Sequence, residues 1–162
     1  MAEQLEIIKV GDPILKQVAE PITVFTDELN EYIESMFITM KATNGVGLAA
    51  PQVGRSQRFF ICQIPGYTPR YAFVNPMIVF TSIEMTTAEE GCLSIPSQFG
   101  NVERYKYIRV QGINPVTRSP FRIRAEGLLA RVIQHEIDHL DGVLFTERMK
   151  PGEELKRDGI AL

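Results

Sequence analysis

The chain has 162 residues, 44% of them hydrophobic, which suffices for one domain with a buried core and is too little for two. A net charge of −3 without any run of Lys and Arg removes the footprint of a nucleic-acid binder or a lipid-surface protein. No stretch of about 18 apolar residues offers a membrane span, and Met1-Ala2-Glu3-Gln4-Leu5-Glu6 has neither the basic start nor the apolar segment of an export signal, so a cytoplasmic location is expected.

In chain order, Gly11-Asp12-Pro13-Ile14 reads as an N-cap followed by proline at the first helical position, predicting a short helix over 13–19. From Thr26, apolar residues at Leu29, Ile33, Met36, Phe37 and Met40 predict an amphipathic helix that Asn44-Gly45 ends. Gly45-Val46-Gly47-Leu48-Ala49-Ala50-Pro51-Gln52 formally satisfies a dinucleotide fingerprint. Such a site needs a strand before it, a helix opening within it and an acid about 20 residues on. Here a helix precedes, Pro51 follows, and no acid occurs between Gly45 and Ile83, so nucleotide binding is rejected. Gly45 and Gly47 instead suit backbone lying close against a ligand, as in a cleft wall.

Strand-like patterns follow at 58–64, 72–80, 83–89, 102–113 and 121–125, with turns at Pro65-Gly66 and Asn114-Pro115. The last two alternate apolar with charged residues, as half-exposed antiparallel strands do. A helix is predicted over 126–141, with Gly142 as a left-handed cap. It has two apolar faces, one of Leu129, Ile133, Ile137 and Leu140, the other of Leu128, Val132, His135 and His139, so it should be central rather than superficial. The fold class expected is α+β, with antiparallel β-sheets packed around this central helix. Residues 1–150 are read as a single catalytic domain and 151–162 as a short polar tail.

The chemistry centres on Gln134-His135-Glu136-Ile137-Asp138-His139, an HExxH motif that holds both histidines of the chain. One helical turn apart, the imidazoles of His135 and His139 can bind a single metal ion, with Glu136 at the edge of their face. A catalytic centre usually has three protein ligands. The extended motif H-E-x-x-H-x-x-G-x-x-H is matched through Gly142 but ends on Phe145, which cannot ligate. Glu147, Glu153 and Glu154 are candidates downstream. Upstream, Glu90-Gly91-Cys92-Leu93-Ser94 offers a turn-like thiol, and a thiolate is a strong ligand for zinc or iron. Cys62, within a strand pattern, reads as core. Glu90 could orient a ligand imidazole, and Asp138 either pairs with a buried arginine such as Arg104 or Arg131 or is a surface acid.

Three motifs in this order, at 45–52, 90–94 and 134–139, with the weaker Gly11-Asp12-Pro13-Ile14-Leu15, give a chain that resembles the peptide deformylases over about residues 5–150. The resemblance implies a metal-dependent hydrolase of protein biosynthesis that removes the N-formyl group from the N-terminal methionine of newly synthesised polypeptides, releasing formate. It implies one Fe(2+) per chain held by Cys92, His135 and His139; Zn(2+), Ni(2+) or Co(2+) can take its place in purified protein. It also implies an oxyanion site formed by the Gln52 amide and the Leu93 backbone N–H. Glu136 can take a proton from water and deliver it to the departing amine. Val46, Gly47, Leu128 and Val132 are the candidates for the methionine slot. The partners expected are the N-formylmethionyl peptide and, transiently, nascent chains at the ribosome, with no nucleic acid and no membrane. A ribosome-docking extension is not expected after Met149. The competing readings are a zinc endopeptidase, which shares the helix but needs a histidine or downstream acid as third ligand, and a noncatalytic metal-stabilised binding module, in which a fourth protein ligand such as Cys62 closes the metal.

Overall fold

The computed structural model describes residues 1–157, 159, 161 and 162. The first helical element is a single 3-10 turn, Pro13–Lys16, in which the Asp12 side chain accepts from the Ile14 N–H at 3.1 Å. The helix expected over 13–19 stops short because the next residues are drawn into extended pairing. The Ala19 N–H donates to Leu140 O at 2.8 Å, and Glu20 exchanges backbone bonds with Ser56 and Arg58. Helix α1, Asp27–Ala42, starts where expected, with the Thr26 hydroxyl accepting from Leu29 N. It buries Leu29, Ile33, Met36 and Met40.

The strands are β1 (Gly47–Ala49), β2 (Phe59–Cys62), β3 (Tyr71–Thr81), β4 (Met85–Cys92), β5 (Ile95–Tyr105), β6 (Tyr107–Ile113) and β7 (Pro120–Glu126). They form an antiparallel sheet in the order β1-β2-β3-β6-β7 and a separate β4-β5 pair. Period-two alternation makes the larger sheet two-sided. Ala49, Phe60, Cys62, Phe73, Ile108 and Val110 face one core cluster, which includes Val132, Ile133 and Leu140 of the last long helix. Leu48, Phe59, Ile61 and Val74 face the other, with Leu29, Ile33 and Met36 of α1. A third cluster joins Leu15, Cys92, Ile95, Val102 and Phe145.

The run expected as one strand over 102–113 is two strands in different sheets. At the junction the Gln134 side chain takes both backbone groups of Tyr105, accepting from its N–H at 3.0 Å and donating to its carbonyl at 2.9 Å. That clasp occupies bonds a sheet neighbour would need, and the chain crosses at Lys106. Strand β1 and the first half of β5 escape the alternation test, the former because its three residues are all buried.

Helix α2, Gly127–Leu140, carries the HExxH residues and packs against β1, β2, β5, β6 and β7. All residues from Ala130 to Glu136 are buried, so the central position expected from two apolar faces is the one observed. Gly142 caps it at φ 72°, and a Cβ there would lie 2.5 Å from the Lys16 carbonyl oxygen, so glycine is required on two counts. A one-turn helix α3, Phe145–Arg148, follows. The last residues return to the β4-β5 pair. Lys156 and Phe99 exchange backbone bonds of 2.6 and 2.8 Å, and the Leu162 N–H donates to Gly91 O at 3.2 Å.

Candidate metal centre

His135 and His139 lie one turn apart on α2, and Cys92 meets them from the end of β4. The β4-β5 ladder is regular to Gly91↔Phe99 and then breaks, with Cys92 opposite Ile95. The Phe99 ring sits over Gly91, where a Cβ would come within 2.4 Å of it, and this close approach lets the hairpin turn Cys92 inward. Cys92, His135 and His139 are 3, 2 and 1% exposed. Their donor atoms lie within 4.8 Å of one another, the one such set among the described residues.

Two separations test whether this set suits a metal. His139 Nε2 is 3.3 Å from Cys92 Sγ and 3.2 Å from His135 Nε2. Tetrahedral coordination at the usual metal–nitrogen and metal–sulfur lengths puts such atoms about 3.3 Å (N to N) and about 3.6 Å (N to S) apart. A lone pair is also available on His135, whereas His139 Nδ1 has no partner among the described groups. His135 gives its Nδ1 proton to Glu90 Oε1 at 2.9 Å, which leaves Nε2 a lone pair aimed at the centre. A thiolate and two imidazoles are a donor set for zinc or ferrous iron. The residues fit a metal.

Glu90 is fully buried and accepts from two arginines besides His135. Arg104 reaches it through Nε and Nη2, both at 2.9 Å, and Arg131 through Nη1 at 2.7 Å. Burial alone would push the Glu90 carboxyl up, but the Arg104 and His135 hydrogen bonds outweigh it and bring it down to about 2. Arg104 continues to Asp138 at 2.5 Å, and Asp138 is held again by Arg148 at 2.9 and 3.1 Å. Asp138 therefore pairs with Arg104, not Arg131, and is no surface acid. Arg131 ties α2 to β4 and β5 through Thr86 O and Val102 O, both at 2.8 Å.

Glu136 is 1% exposed, and its Oε2 has no partner among the described groups. Burial, then the Glu90 charge, raises its carboxyl well above the usual range. Burial also pushes the Cys92 thiol up to about 12, with the Glu136 charge adding to it, while burial and then His135 hold His139 well below its ordinary value. Gly47 is what admits Glu136: a Cβ there would lie 2.9 Å from its Oε1 and 2.8 Å from Val132 Cγ1.

Gln52 lies in the 3-10 turn Ala50–Val53, its Oε1 accepting from Ala49 N at 2.9 Å. Its Nε2 donates to Ser94 Oγ at 3.2 Å and approaches Cys92 Sγ at 3.5 Å. Leu93 is in the turn between β4 and β5, its Cδ1 2.9 Å from where a Gly45 Cβ would stand. Val132 is fully buried, and Val46 packs on its cluster. Leu128, in the first turn of α2, is 47% exposed and stands apart from that cluster. Glu147 pairs with Lys16, and Glu153 and Glu154 are exposed. Cys62 sits in the core with its thiol pushed up by burial, outside the metal-holding group. The sequence reading passed over Ser94 and Arg148, and it named Arg131 as a buried arginine but for Asp138 rather than for Glu90. Arg131 had a signal: it is the one charge between Gly127 and Gln134 on a helix with two apolar faces.

An α+β scaffold that brings a thiol and an HExxH helix to one buried centre defines a metal-dependent hydrolase. Comparison with known proteins makes this specific. The polypeptide deformylase family matches residues 4–154. The peptide deformylase of Thermotoga sp. strain RQ2 is 49% identical over 146 residues, covering 90% of this chain and 87% of that protein. The crystal structure of the Thermotoga maritima peptide deformylase superposes with a TM-score of 0.88 at 44% identity, covering 92% of this chain and 99% of that one. A class I type b peptide deformylase from Acinetobacter baumannii, solved with Met-Ala-Ser bound, gives 0.86 at 38% identity over 92% of this chain and 100% of that one. The chain belongs to the peptide deformylase family.

Proposed function

We propose that the protein hydrolyses the N-formyl group from the N-terminal methionine of newly made polypeptides and releases formate. The observation that carries this reading is the convergence of Cys92, His135 and His139 beside a buried Glu136 with a free carboxylate oxygen. The Met-Ala-Ser peptide held by the Acinetobacter baumannii relative supports it, since a free methionyl N-terminus is what deformylation leaves.

One Fe(2+) per chain is the metal we assign to Cys92, His135 and His139. When bound it supplies water activated at neutral pH and a Lewis acid toward the formyl carbonyl. Glu136 is the proton shuttle: its raised proton affinity suits it to take a proton from the attacking water and pass it to the departing amine nitrogen. Gln52 Nε2 and the Leu93 N–H donate to the oxyanion that forms on the former carbonyl. Glu90, anchored by Arg104 and Arg131, fixes the His135 ring and its tautomer. Val46, Gly47, Val132 and, at the rim, Leu128 receive the methionine side chain.

Residues 1–150 are the catalytic unit in this reading and 151–162 its tail. The substrate places the enzyme in the cytoplasm, beside nascent chains leaving the ribosome. No helix among the described residues is long and apolar enough to cross a membrane. The test is formate release from a formyl-Met-Ala-Ser peptide by anaerobically purified protein, with metal analysis of the same sample. Formate with about one iron per chain is expected. Cleavage inside an unformylated peptide without formate would make the protein an endopeptidase and end this reading.

A further inference from the structure

A hydrolase that takes the end of a polypeptide needs a groove open to that chain, yet Cys92, His135, Glu136 and His139 are all 3% exposed or less. Two strand ends flank them. Strand β1 is at the edge of its sheet, and the glycine that opens it and the one two residues before approach the site side chains, Gly47 lying against Val132 and Glu136 and Gly45 against Leu93. Strand β4 pairs with β5 on one side only. A gap between two strand edges is a place where an extended peptide adds by backbone hydrogen bonds while its side chain fills a pocket.

The tail crosses the β4-β5 hairpin from its β5 side, and its end reaches the β4 edge. Lys156 and Phe99 form a two-bond antiparallel bridge, and Lys156 Nζ pairs with Glu89 at 3.3 Å. Gly159 has room beside the Phe99 ring and Glu89 only because it lacks a Cβ, which would approach them to 2.7 and 2.4 Å. Ala161 Cα lies 3.4 Å from the position of a Gly91 Cβ. The Leu162 N–H then donates to Gly91 O, one residue before Cys92. Its side chain is 7% exposed and joins the apolar cluster of Val132, on which Val46 and Leu129 pack. A leucine is close to methionine in volume and polarity, and it shares its apolar cluster with Val132 and Val46, two of the residues assigned to the methionine slot.

We propose that the tail, through Lys156, Gly159, Ala161 and Leu162, acts as an intramolecular strap whose end occupies the substrate groove, with Leu162 in the place of the substrate's apolar side chain. The strap and the peptide compete for the Gly91 carbonyl and for the slot, so the enzyme binds substrate only when the strap is released. The proposal rests on the deformylase reading of the site for what it displaces, though not for the strap itself.

Three forms test it: the full chain, Leu162→Ser, and a chain ending after Lys156, which keeps Leu155 and Met149 on Gly100. A strap closed about nine-tenths of the time raises KM about tenfold and leaves kcat alone. Both altered forms should therefore show KM for formyl-Met-Ala-Ser about tenfold lower at unchanged kcat. In the full chain the Leu162 amide should exchange with solvent at least tenfold more slowly than in a free peptide. A C-terminally amidated peptide of residues 155–162 should bind the shortened chain in calorimetry and not the full one. A KM within twofold across the three forms together with free-peptide exchange at Leu162 would overturn the strap, as would a fall in kcat at constant KM, which marks the tail as a structural support. If no form releases formate, the deformylase reading fails, and exchange and peptide binding still decide the strap.

Discussion

Replacing Glu90 with alanine removes the anion that two arginines and a ligand histidine share. Glu90 accepts four hydrogen bonds, from Arg104 Nε and Nη2, Arg131 Nη1 and His135 Nδ1, all between 2.7 and 2.9 Å. The carboxylate is fully buried and both guanidinium groups are only 5–6% exposed, so water cannot take over. Breaking one partner out of a buried ion pair costs about 3–5 kcal/mol, because the other charge is left in low dielectric. Arg104 keeps Asp138 and Arg131 keeps the Thr86 and Val102 carbonyls, which argues for the lower end, about 3 kcal/mol. Set against a total of about 5–15 kcal/mol for a domain, that is a large share. It corresponds to a melting point lower by roughly 6–12 °C for a chain of this length. Urea unfolding of metal-free protein measures it without a contribution from bound ion, and metal affinity measured separately should fall about 10–100-fold as the His135 ring loses its anchor. Glu90→Ala within about 1 kcal/mol of the parent, with affinity unchanged, would refute the claim that this anion organises the centre.

Acid should remove the same contribution. The Glu90 carboxyl is lowered from 4.5 to about 2 in the fold, so its stabilisation is complete above about 4.5 and is lost as pH falls toward 2. Unfolding of metal-free Glu90→Gln between pH 5 and 3 should show a shallower slope than the parent. Glu136→Gln should keep about one metal per chain while kcat falls about 10²–10⁴-fold, whereas Cys92→Ala should lose metal and turnover together. Full activity in Cys92→Ala would remove the thiol from the ligand set. Gly47→Ala puts a methyl 2.8 Å from Val132 and 2.9 Å from Glu136, so kcat/KM for formate release should drop at least about tenfold with metal content unchanged.

The parts of this molecule that could be read in the sequence are those whose partners are close in the chain. The two histidines of α2 are four residues apart, so helix geometry alone brings their rings together, and the amphipathic pattern of α1 likewise needs no knowledge of what it packs on. Cys92 was legible by its surroundings but not by spacing, because its approach to His139 depends on the break in the β4-β5 ladder after Gly91. The crossing at Lys106 was illegible for the same reason: alternation over 102–113 reports which side chains face inward and is silent on which strand pairs with which. Gln134 decides it, and from the sequence Gln134 is only a polar neighbour of the motif.

The cage of charge around Glu90 shows why so dry a centre works. Burial favours the neutral forms of the Cys92 thiol, the His139 ring and the Glu136 carboxyl. A dication held by Cys92, His135 and His139 would oppose the first of these shifts, since a coordinated thiol gives up its proton even where burial alone would keep it. In the proposed reading Glu136 is not a ligand, and the burial that raises its proton affinity suits a shuttle between water and amine. Had Glu90 been left without Arg104 and Arg131, its charge would lie unneutralised against His135, the histidine proposed to offer a lone pair to the metal. The two arginines fix that charge in place, and Asp138 with Arg148 fixes Arg104 in turn. Five ionised side chains are thus spent on the position of a single imidazole. That is the arrangement expected where a ligand ring must stay within a few tenths of an ångström in a site buried from solvent.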